Sequence, residues 1–308
     1  MSHFLKTDNK LSLIKEAKID REKDIQKLVE NNLEEVLGYE LVTSEFQINN
    51  LRIDTLAYNP ETKSFVIIEY KRNHSFSVID QGYAYLSILL NNKADFILEY
   101  FTKIGKHLSK KDVDWSQSKV VFVANSFTQH QQTAINFKDL PIELWEFKLY
   151  TNSTISFNQL KASKNTESIT AISSNTEVKN IAREIKTYTT DDLFKKDWTN
   201  SKDLYEKLSE QILQIDSRIE ENITKGYIGY KVGKTLFCNI IPYKSKLVIH
   251  LSRTQPKDLQ DPEKKVSHVK NSLKYYGQHL SELIITSEDD FFYANTIIKQ
   301  LFNKTFTD

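Results

Sequence analysis

Residues 52–71 read RIDTLAYNPETKSFVIIEYK, which is typical of two β-strands joined by a short turn around Pro60. Side chains alternate between the two faces of a strand, so Glu69 and Lys71 project from the same face of the second strand. The residues before them are apolar on both faces, and a strand of that kind usually lies inside its sheet. The stretch therefore predicts a central strand that carries two charged side chains at its end.

The flanking sequence predicts an α/β domain with a mixed sheet between helices. Apolar residues recur at helical spacing between Ile25 and Val36. Strands are predicted at 41–48, 96–100, 119–124 and 143–150. A further helix is predicted from Ser77 to about Leu90, with Ser77 as its N-cap. This domain is expected to occupy residues 1–160.

A second domain is predicted in the C-terminal part of the chain. Residues 161–179 are rich in Ser, Thr and Asn and contain no aromatic residue, so 161–195 is interpreted as a linker. Residues 196–308 are predicted to form a small α+β domain. Its predicted elements are a helix at 203–215, strands at 227–231, 236–241 and 246–251, a helix at 262–275, a strand at 283–286 and a last helix up to 302.

The composition excludes several classes of protein. No apolar run reaches the roughly 18 residues of a membrane-spanning helix, and the first residues do not resemble a secretory signal. Cys238 is the single cysteine, so a zinc site built on several cysteines is excluded. The chain is expected to be cytoplasmic. Its net charge of +1 neither favours nor excludes a nucleic-acid ligand.

Asp54, Glu69 and Lys71 are the candidate catalytic residues. Asp54 lies on the strand before Glu69 and can approach it across the strand pair. Two adjacent carboxylates repel each other unless a cation lies between them, and Mg²⁺ takes one or two carboxylates together with water and substrate oxygens. A nearby lysine can stabilise negative charge during phosphodiester cleavage. The alternative is a weak Glu–Lys pair on an exposed strand edge.

Three further residues could belong to the same site. Gln81 and Tyr85 are four positions apart on the predicted helix and share one of its faces. Glu22 borders the apolar stripe of the first helix. Each also has a structural explanation, since Gln81 could be a surface amide, Tyr85 a core residue and Glu22 a first-turn acid that offsets the helix dipole.

The order Glu22, RIDTLAY, FVIIEYK and QGYAY resembles the PD-(D/E)xK nuclease superfamily. It is most similar to the branch that contains the NucS/EndoMS endonucleases, whose pattern is a helical Glu, an Asp, E-x-K and then Q-x-x-x-Y. The resemblance covers residues 15–150 and implies a restriction-endonuclease-like sheet and a DNA substrate. It also implies a metal site for Mg²⁺ or Mn²⁺ at Glu22, Asp54 and Glu69, Lys71 at the attacking water, and Gln81 and Tyr85 beside the same pocket.

The domain order departs from that branch, whose DNA-binding domain precedes the nuclease domain, so mismatch specificity is not carried over. The C-terminal half resembles a domain of unknown function that is sometimes labelled "predicted transport protein". Two alternatives stay open: a nucleic-acid-binding or interaction protein that keeps the fold without cleavage, and a nuclease that acts on RNA. A homodimer and a setting in host defence or repair also stay open.

Overall fold

The structure is a computed structural model of the 308-residue chain. It describes residues 3–19, 21–72, 77–135, 140–161, 181 and 184–307. The chain divides into two compact units, Met1–Thr187 and Tyr188–Asp308. Within the described ranges, we find no helix with both the length and the apolar character that crossing a membrane requires.

The first unit contains a β-hairpin and a six-stranded sheet with helices. Its elements are β1 (His3–Thr7), β2 (Lys10–Ile14), α1 (Glu22–Asn31), α2 (Leu33–Leu37), β3 (Glu40–Ile48), β4 (Leu51–Asn59), β5 (Ser64–Lys71), α3 (Val78–Asn91), α4 (Lys93–Ile104), β6 (Lys119–Ala124), α5 (Gln129–Ala134), β7 (Ile142–Leu149) and β8 (Ile155–Leu160).

The six-stranded sheet is mixed and has the order β3-β4-β5-β6-β7-β8. Strands β5, β6 and β7 are parallel, and the remaining neighbours are antiparallel. Helices α1 and α2 pack on the face that carries Val66 and Ile68, whereas α3 and α4 pack on the face that carries Phe65 and Ile67. The predicted α/β class, with a mixed sheet between helices and β5 inside it, is confirmed.

The prediction of a strand at 96–100 is wrong, because these residues lie in α4. Phe96 and Tyr100 are 0% and 3% exposed, whereas Leu98 between them is 62% exposed. In a strand all three side chains would share one face, but in a helix residues four apart share a face and the middle one points away. The burial pattern therefore has the helical period.

The second unit is an α+β unit with a sheet of its own, as predicted. Its elements are α6 (Thr190–Leu193), α7 (Thr199–Leu213), β9 (Ile219–Ile223), β10 (Ile228–Val232), β11 (Thr235–Tyr243), β12 (Lys246–Ser252), β13 (Ser267–His268), α8 (Ser272–Tyr276), β14 (Leu280–Ile285) and α9 (Phe291–Phe306). The sheet has the order β13-β14-β12-β11-β10-β9, with antiparallel neighbours throughout. Helices α7 and α9 pack on one of its faces.

The predicted helix at 262–275 is also wrong. The carboxylate of Asp261 accepts hydrogen bonds from the backbone N–H groups of Lys265 at 3.0 Å and Val266 at 2.9 Å. This side chain offers the backbone an alternative to helical hydrogen bonds. The chain then forms the short strand β13, and only Ser272–Tyr276 is helical.

The linker predicted at 161–195 falls only partly within the described residues, since 162–180 and 182–183 lie outside them. Ile181 and Ile185 are buried, at 4% and 3% exposure, in the core of the first unit. Helix α6 belongs to the second unit.

Candidate active site

Strands β4 and β5 bring Asp54 and Glu69 together. The antiparallel register pairs Thr55 with Ile68, so the next positions along the two strands are Asp54 and Glu69. The backbone N–H of Asp54 donates to Oε1 of Glu69 at 3.2 Å, and the backbone N–H of Tyr70 donates to Oδ2 of Asp54 at 3.1 Å. Each carboxylate is thus held by the backbone of the opposite strand.

Lys71 joins the same face of β5, two residues after Glu69. Its Nζ donates to Oε2 of Glu69 at 3.1 Å. The Glu69 side chain is 3% exposed and that of Lys71 is 21% exposed. The acid therefore lies inside the protein, while the ammonium group borders solvent.

Helix α3 brings Gln81 and Tyr85 to this face. The side chain of Ser77 caps the helix by accepting from the backbone N–H of Asp80. Nε2 of Gln81 donates to the Tyr85 hydroxyl at 3.4 Å, and that hydroxyl lies 3.5 Å from the carbonyl oxygen of Arg52. Burial raises the pKa of Glu69, and a hydrogen bond from Tyr85 opposes that rise. Tyr85 is 5% exposed, so it contributes to the core and to the site together.

Gly82 allows α3 to approach the sheet closely. A Cβ atom built at this position would lie 2.4 Å from Cδ1 of Ile142. We expect Gly82→Val to lower the free energy of unfolding by about 1–3 kcal/mol, because the added carbons overpack this contact. Chemical denaturation measures the change. Ala84→Val is the matched control on the exposed face of α3, and an equal loss in both variants would contradict the close-packing explanation.

Glu22 contacts the backbone at the end of β5. It is exposed at the start of α1, and its Oε1 accepts from the backbone N–H of Arg72 at 2.7 Å. Among the described residues, no group of three or more His, Cys, Asp or Glu side chains is placed to hold a metal ion. Glu22 therefore contacts the chain just after β5, and its role as a metal ligand stays a prediction.

Burial and mutual repulsion dominate the electrostatics of the pair. Burial is the largest cause that raises the pKa of Asp54, and the Tyr70 N–H and Lys71 lower it. The pKa of Glu69 is raised by burial and then by Asp54, against the opposing effect of Lys71. The ionised pair is therefore unfavourable without further positive charge.

A divalent cation fits this donor set. Mg²⁺ is commonly bound by one or two carboxylates, with waters and substrate oxygens completing its coordination. Asp54 and Glu69 supply two carboxylates on adjacent strands, and burial is the largest cause that raises the pKa of both groups. Two protein ligands are enough for such a site.

The raised pKa of Glu69 leads to a stability prediction. A carboxyl whose pKa is higher in the folded chain than its ordinary value of about 4.3 destabilises the fold as it ionises. Stability is lost as the pH rises from that value through the folded pKa, and it stays lost at pH 7. In EDTA at pH 7, we therefore expect Glu69→Gln to unfold at a higher temperature than the wild type, with a free energy of unfolding that is higher by about 1 kcal/mol.

Thermal unfolding at two pH values checks this prediction. The advantage of Glu69→Gln should shrink when the pH falls below about 4.3, because the wild-type carboxyl is then protonated in both states. Glu34→Gln removes an exposed carboxylate of α2 and serves as the control. A variant that is less stable than the wild type at pH 7 would contradict the electrostatic account.

Gln26 and Glu30 support the strands from the opposite side and were not identified from the sequence. Nε2 of Gln26 donates to the carbonyl oxygen of Asp54 at 2.9 Å and to Oε1 of Glu30 at 3.1 Å. The same Glu30 oxygen accepts from the hydroxyl of Thr55. These contacts hold the β4 backbone behind Asp54. The sequence shows only a polar i, i+4 pair on a helix, and the structure shows that Gln26 is 6% exposed.

Comparison with known proteins places the whole chain in a family. An uncharacterized protein of Haemophilus influenzae is 42% identical over 302 residues, which span 97% of this chain and 99% of that protein. The chain belongs to this family. In addition, residues 190–291 match the family described as Domain of unknown function (DUF5655). The predicted C-terminal domain of unknown function is thereby confirmed.

Several solved structures match part of the chain at low similarity. An EndoMS–dsDNA complex matches with a TM-score of 0.26 and 16% identity, over 41% of this chain and 46% of that one. A repair endonuclease from Pyrococcus abyssi gives a TM-score of 0.23 and 11% identity, over 44% and 60% of the two chains. SfsA of Pyrococcus furiosus in complex with Ca²⁺ gives 0.26 and 14%, over 53% and 77%.

Proposed function

We propose that this protein is a metal-dependent nuclease that hydrolyses phosphodiester bonds, with Asp54, Glu69 and Lys71 at its cleavage centre. One observation carries the proposal. The buried carboxylate of Glu69 lies beside Asp54 on one face of adjacent strands, with the Lys71 ammonium group 3.1 Å away. A purely structural ion pair would need one carboxylate, and the second adds repulsion that a cation would relieve.

Each residue has a defined task in this proposal. Asp54 and Glu69 would hold Mg²⁺ or Mn²⁺, which would neutralise phosphate charge and lower the pKa of an attacking water. Lys71 orients that water and stabilises the negative charge that develops on the phosphate. Tyr85 and Gln81 hold Glu69 and the backbone of Arg52 in place.

DNA is the proposed substrate, in preference to RNA. The choice follows the resemblance of the order Glu22, Asp54, Glu69-x-Lys71, Gln81 and Tyr85 to the NucS/EndoMS branch. The C-terminal unit would then select the substrate or a partner protein. Because that unit lies after the nuclease-like unit in the chain, no mismatch specificity is proposed.

The proposal is tested with the purified full chain on a panel of labelled nucleic acids. Single-stranded, duplex, mismatched and branched DNA and their RNA counterparts are incubated with Mg²⁺, Mn²⁺ or EDTA. We expect cleavage of at least one DNA form with either metal and none in EDTA. Binding without cleavage across the whole panel would favour the non-cleaving alternative, and cleavage of RNA alone would overturn the choice of DNA.

A second test measures the metal directly. In isothermal titration calorimetry, Mn²⁺ should bind the wild type, and the heat should be lost in the variant with both Asp54→Asn and Glu69→Gln. Metal should also raise the unfolding temperature of the wild type alone, because a ligand that binds only the folded state stabilises it. If the double variant binds Mn²⁺ as the wild type does, the carboxylate pair does not hold the metal.

A further inference from the structure

The basic loop, residues 264–279 of the second unit, has an unusual composition. It reads KKVSHVKNSLKYYGQH and contains four lysines and two histidines but no aspartate or glutamate. The whole chain is almost neutral, with a net charge of +1, so this is a local concentration of positive charge. Such a segment favours an anionic ligand.

Lysines of the basic loop are available to such a ligand. Lys265 is engaged, since its Nζ lies 3.0 Å from Glu263 and 3.6 Å from Asp290. Within the described part of the chain, neither Lys270 nor Lys274 forms an ion pair, and both are exposed. Their charges are therefore directed to solvent rather than used within the fold.

Two tyrosines of helix α8 are displayed beside these lysines. Tyr275 is 65% exposed and Tyr276 is 57% exposed. Nζ of Lys274 lies 5.6 Å from the centre of the Tyr275 ring. Exposed aromatic side chains provide a surface on which bases can stack. The neighbouring lysines, which form no ion pair within the described part of the chain, can contact the phosphates.

The base of the loop is held firmly although its tip is exposed. The buried Ser272 hydroxyl accepts from the backbone N–H of Leu280 at 3.2 Å, and the N–H of Val269 donates to the carbonyl of Leu280 at 2.9 Å. The N–H of Thr254 donates to the carbonyl of His279 at 3.2 Å. A ligand would therefore meet a surface that is already ordered, which lowers the entropic cost of binding.

A cavity adjoins the same loop. Its volume is about 320 Å³, and it is lined by Gln255, Pro256, Lys257, His268 and His279. None of these side chains is acidic. Nδ1 of His279 is buried and has no hydrogen-bond partner among the described residues, so a polar group remains to be satisfied by a ligand.

We infer that the basic loop and its cavity form a binding site for single-stranded nucleic acid. Tyr275 and Tyr276 stack on successive bases, Lys270 and Lys274 contact phosphates, and the cavity receives a neighbouring phosphate or base edge beside Lys257 and His279. The choice of a nucleic acid as the ligand rests on the proposed function. The basic loop is the part of the second unit that holds this ligand.

The test measures binding by the full chain in EDTA, where no metal-dependent cleavage can occur. A short fluorescein-labelled single-stranded DNA oligonucleotide and its RNA counterpart are titrated by fluorescence anisotropy. We expect the variant with both Tyr275→Ala and Tyr276→Ala to bind at least about tenfold more weakly. With Lys270→Gln and Lys274→Gln, the slope of log affinity against log salt should fall by about 0.7 for each lysine.

Tyr243→Ala is the matched control. Tyr243 is 47% exposed in the same unit, and Nζ of Lys246 lies 5.5 Å from the centre of its ring, but it lies outside the basic loop. Its loss should leave binding unchanged. All three tyrosines are largely exposed, so circular dichroism should show intact folding in each variant.

Four outcomes would overturn the inference. The first two are no binding of single strands by the wild type and unchanged binding by the double tyrosine variant. The third is an equal loss of affinity in Tyr243→Ala. The fourth is binding of anionic phospholipid vesicles through these residues in place of the oligonucleotide. Cleavage by the wild type is measured separately with Mn²⁺. If the wild type cleaves but the loop variants bind as tightly as the wild type, the inference about the basic loop is refuted and the proposed function stands. If binding depends on the loop but the wild type does not cleave, the proposed nuclease activity is refuted and the binding site stands.

Discussion

Glu69→Gln is expected to lower the rate of phosphodiester cleavage by about a thousandfold while the fold stays intact. The amide has the shape of the carboxylate, and its single oxygen can still accept from either the Asp54 N–H or Lys71 Nζ, which lie 3.2 Å and 3.1 Å from the two carboxylate oxygens in the wild type. It has no negative charge to hold a divalent cation. The rate should fall for that reason alone, and single-turnover cleavage with Mn²⁺ measures it.

Companion variants separate the roles within the site. Asp54→Asn should lose both metal binding and cleavage. Lys71→Met should lose cleavage by about a hundredfold or more but keep Mn²⁺ binding in calorimetry, because the ammonium group is not a ligand. Glu34→Gln and Lys103→Gln, at exposed positions of α2 and α4, are the controls and should cleave as the wild type does. Full activity of Glu69→Gln would refute the assigned cleavage centre.

Phe122→Ala is expected to lower the free energy of unfolding of the first unit by about 3–5 kcal/mol. Phe122 is 0% exposed and stands on β6 opposite Glu69 of β5 in the parallel register. Its ring lies in the core below α3, with Cε2 3.6 Å from a Cβ built at Gly82. Truncation would remove buried apolar surface and leave a cavity that the neighbouring strands cannot close.

Urea denaturation followed by tryptophan fluorescence measures this loss. Phe101→Ala is the matched control, since Phe101 is 46% exposed on α4 and should cost no more than about 1 kcal/mol. If Phe122→Ala remained folded with a loss as small as that of Phe101→Ala, the packing of α3 on β6 would be wrong. The arrangement of Gln81 and Tyr85 around Glu69 would then have to be revised.

The strands of the candidate site could be predicted because their signals are local. The alternation of side chains in 64–71 placed Glu69 and Lys71 on one face, and the turn after Asn59 placed Asp54 on the adjoining strand. The helix that carries Gln81 and Tyr85 had a capping serine and helical spacing. In each case the period of the pattern and the turn chemistry lie within about twenty residues of sequence.

The errors arose where tertiary contacts override local propensity. Residues 96–100 are a short run rich in apolar residues, which suits a strand as well as a helix. The carboxylate of Asp261 redirects the backbone at Lys265 and Val266, which residue spacing cannot reveal. Gln26 looks like an ordinary surface amide until its contact with the carbonyl of Asp54 is known.

The sequence by itself determined the fold class of both units and the pair of strands that carry the acids, because hydrophobic periodicity and turn residues act over short distances along the chain. It also determined that Glu69 and Lys71 share a face. Only the tertiary structure decided that Glu22 accepts a hydrogen bond from the Arg72 N–H, and that Tyr275 and Tyr276 face solvent. These features depend on contacts between residues far apart in the chain, and the packing of whole elements determines their distances and burial.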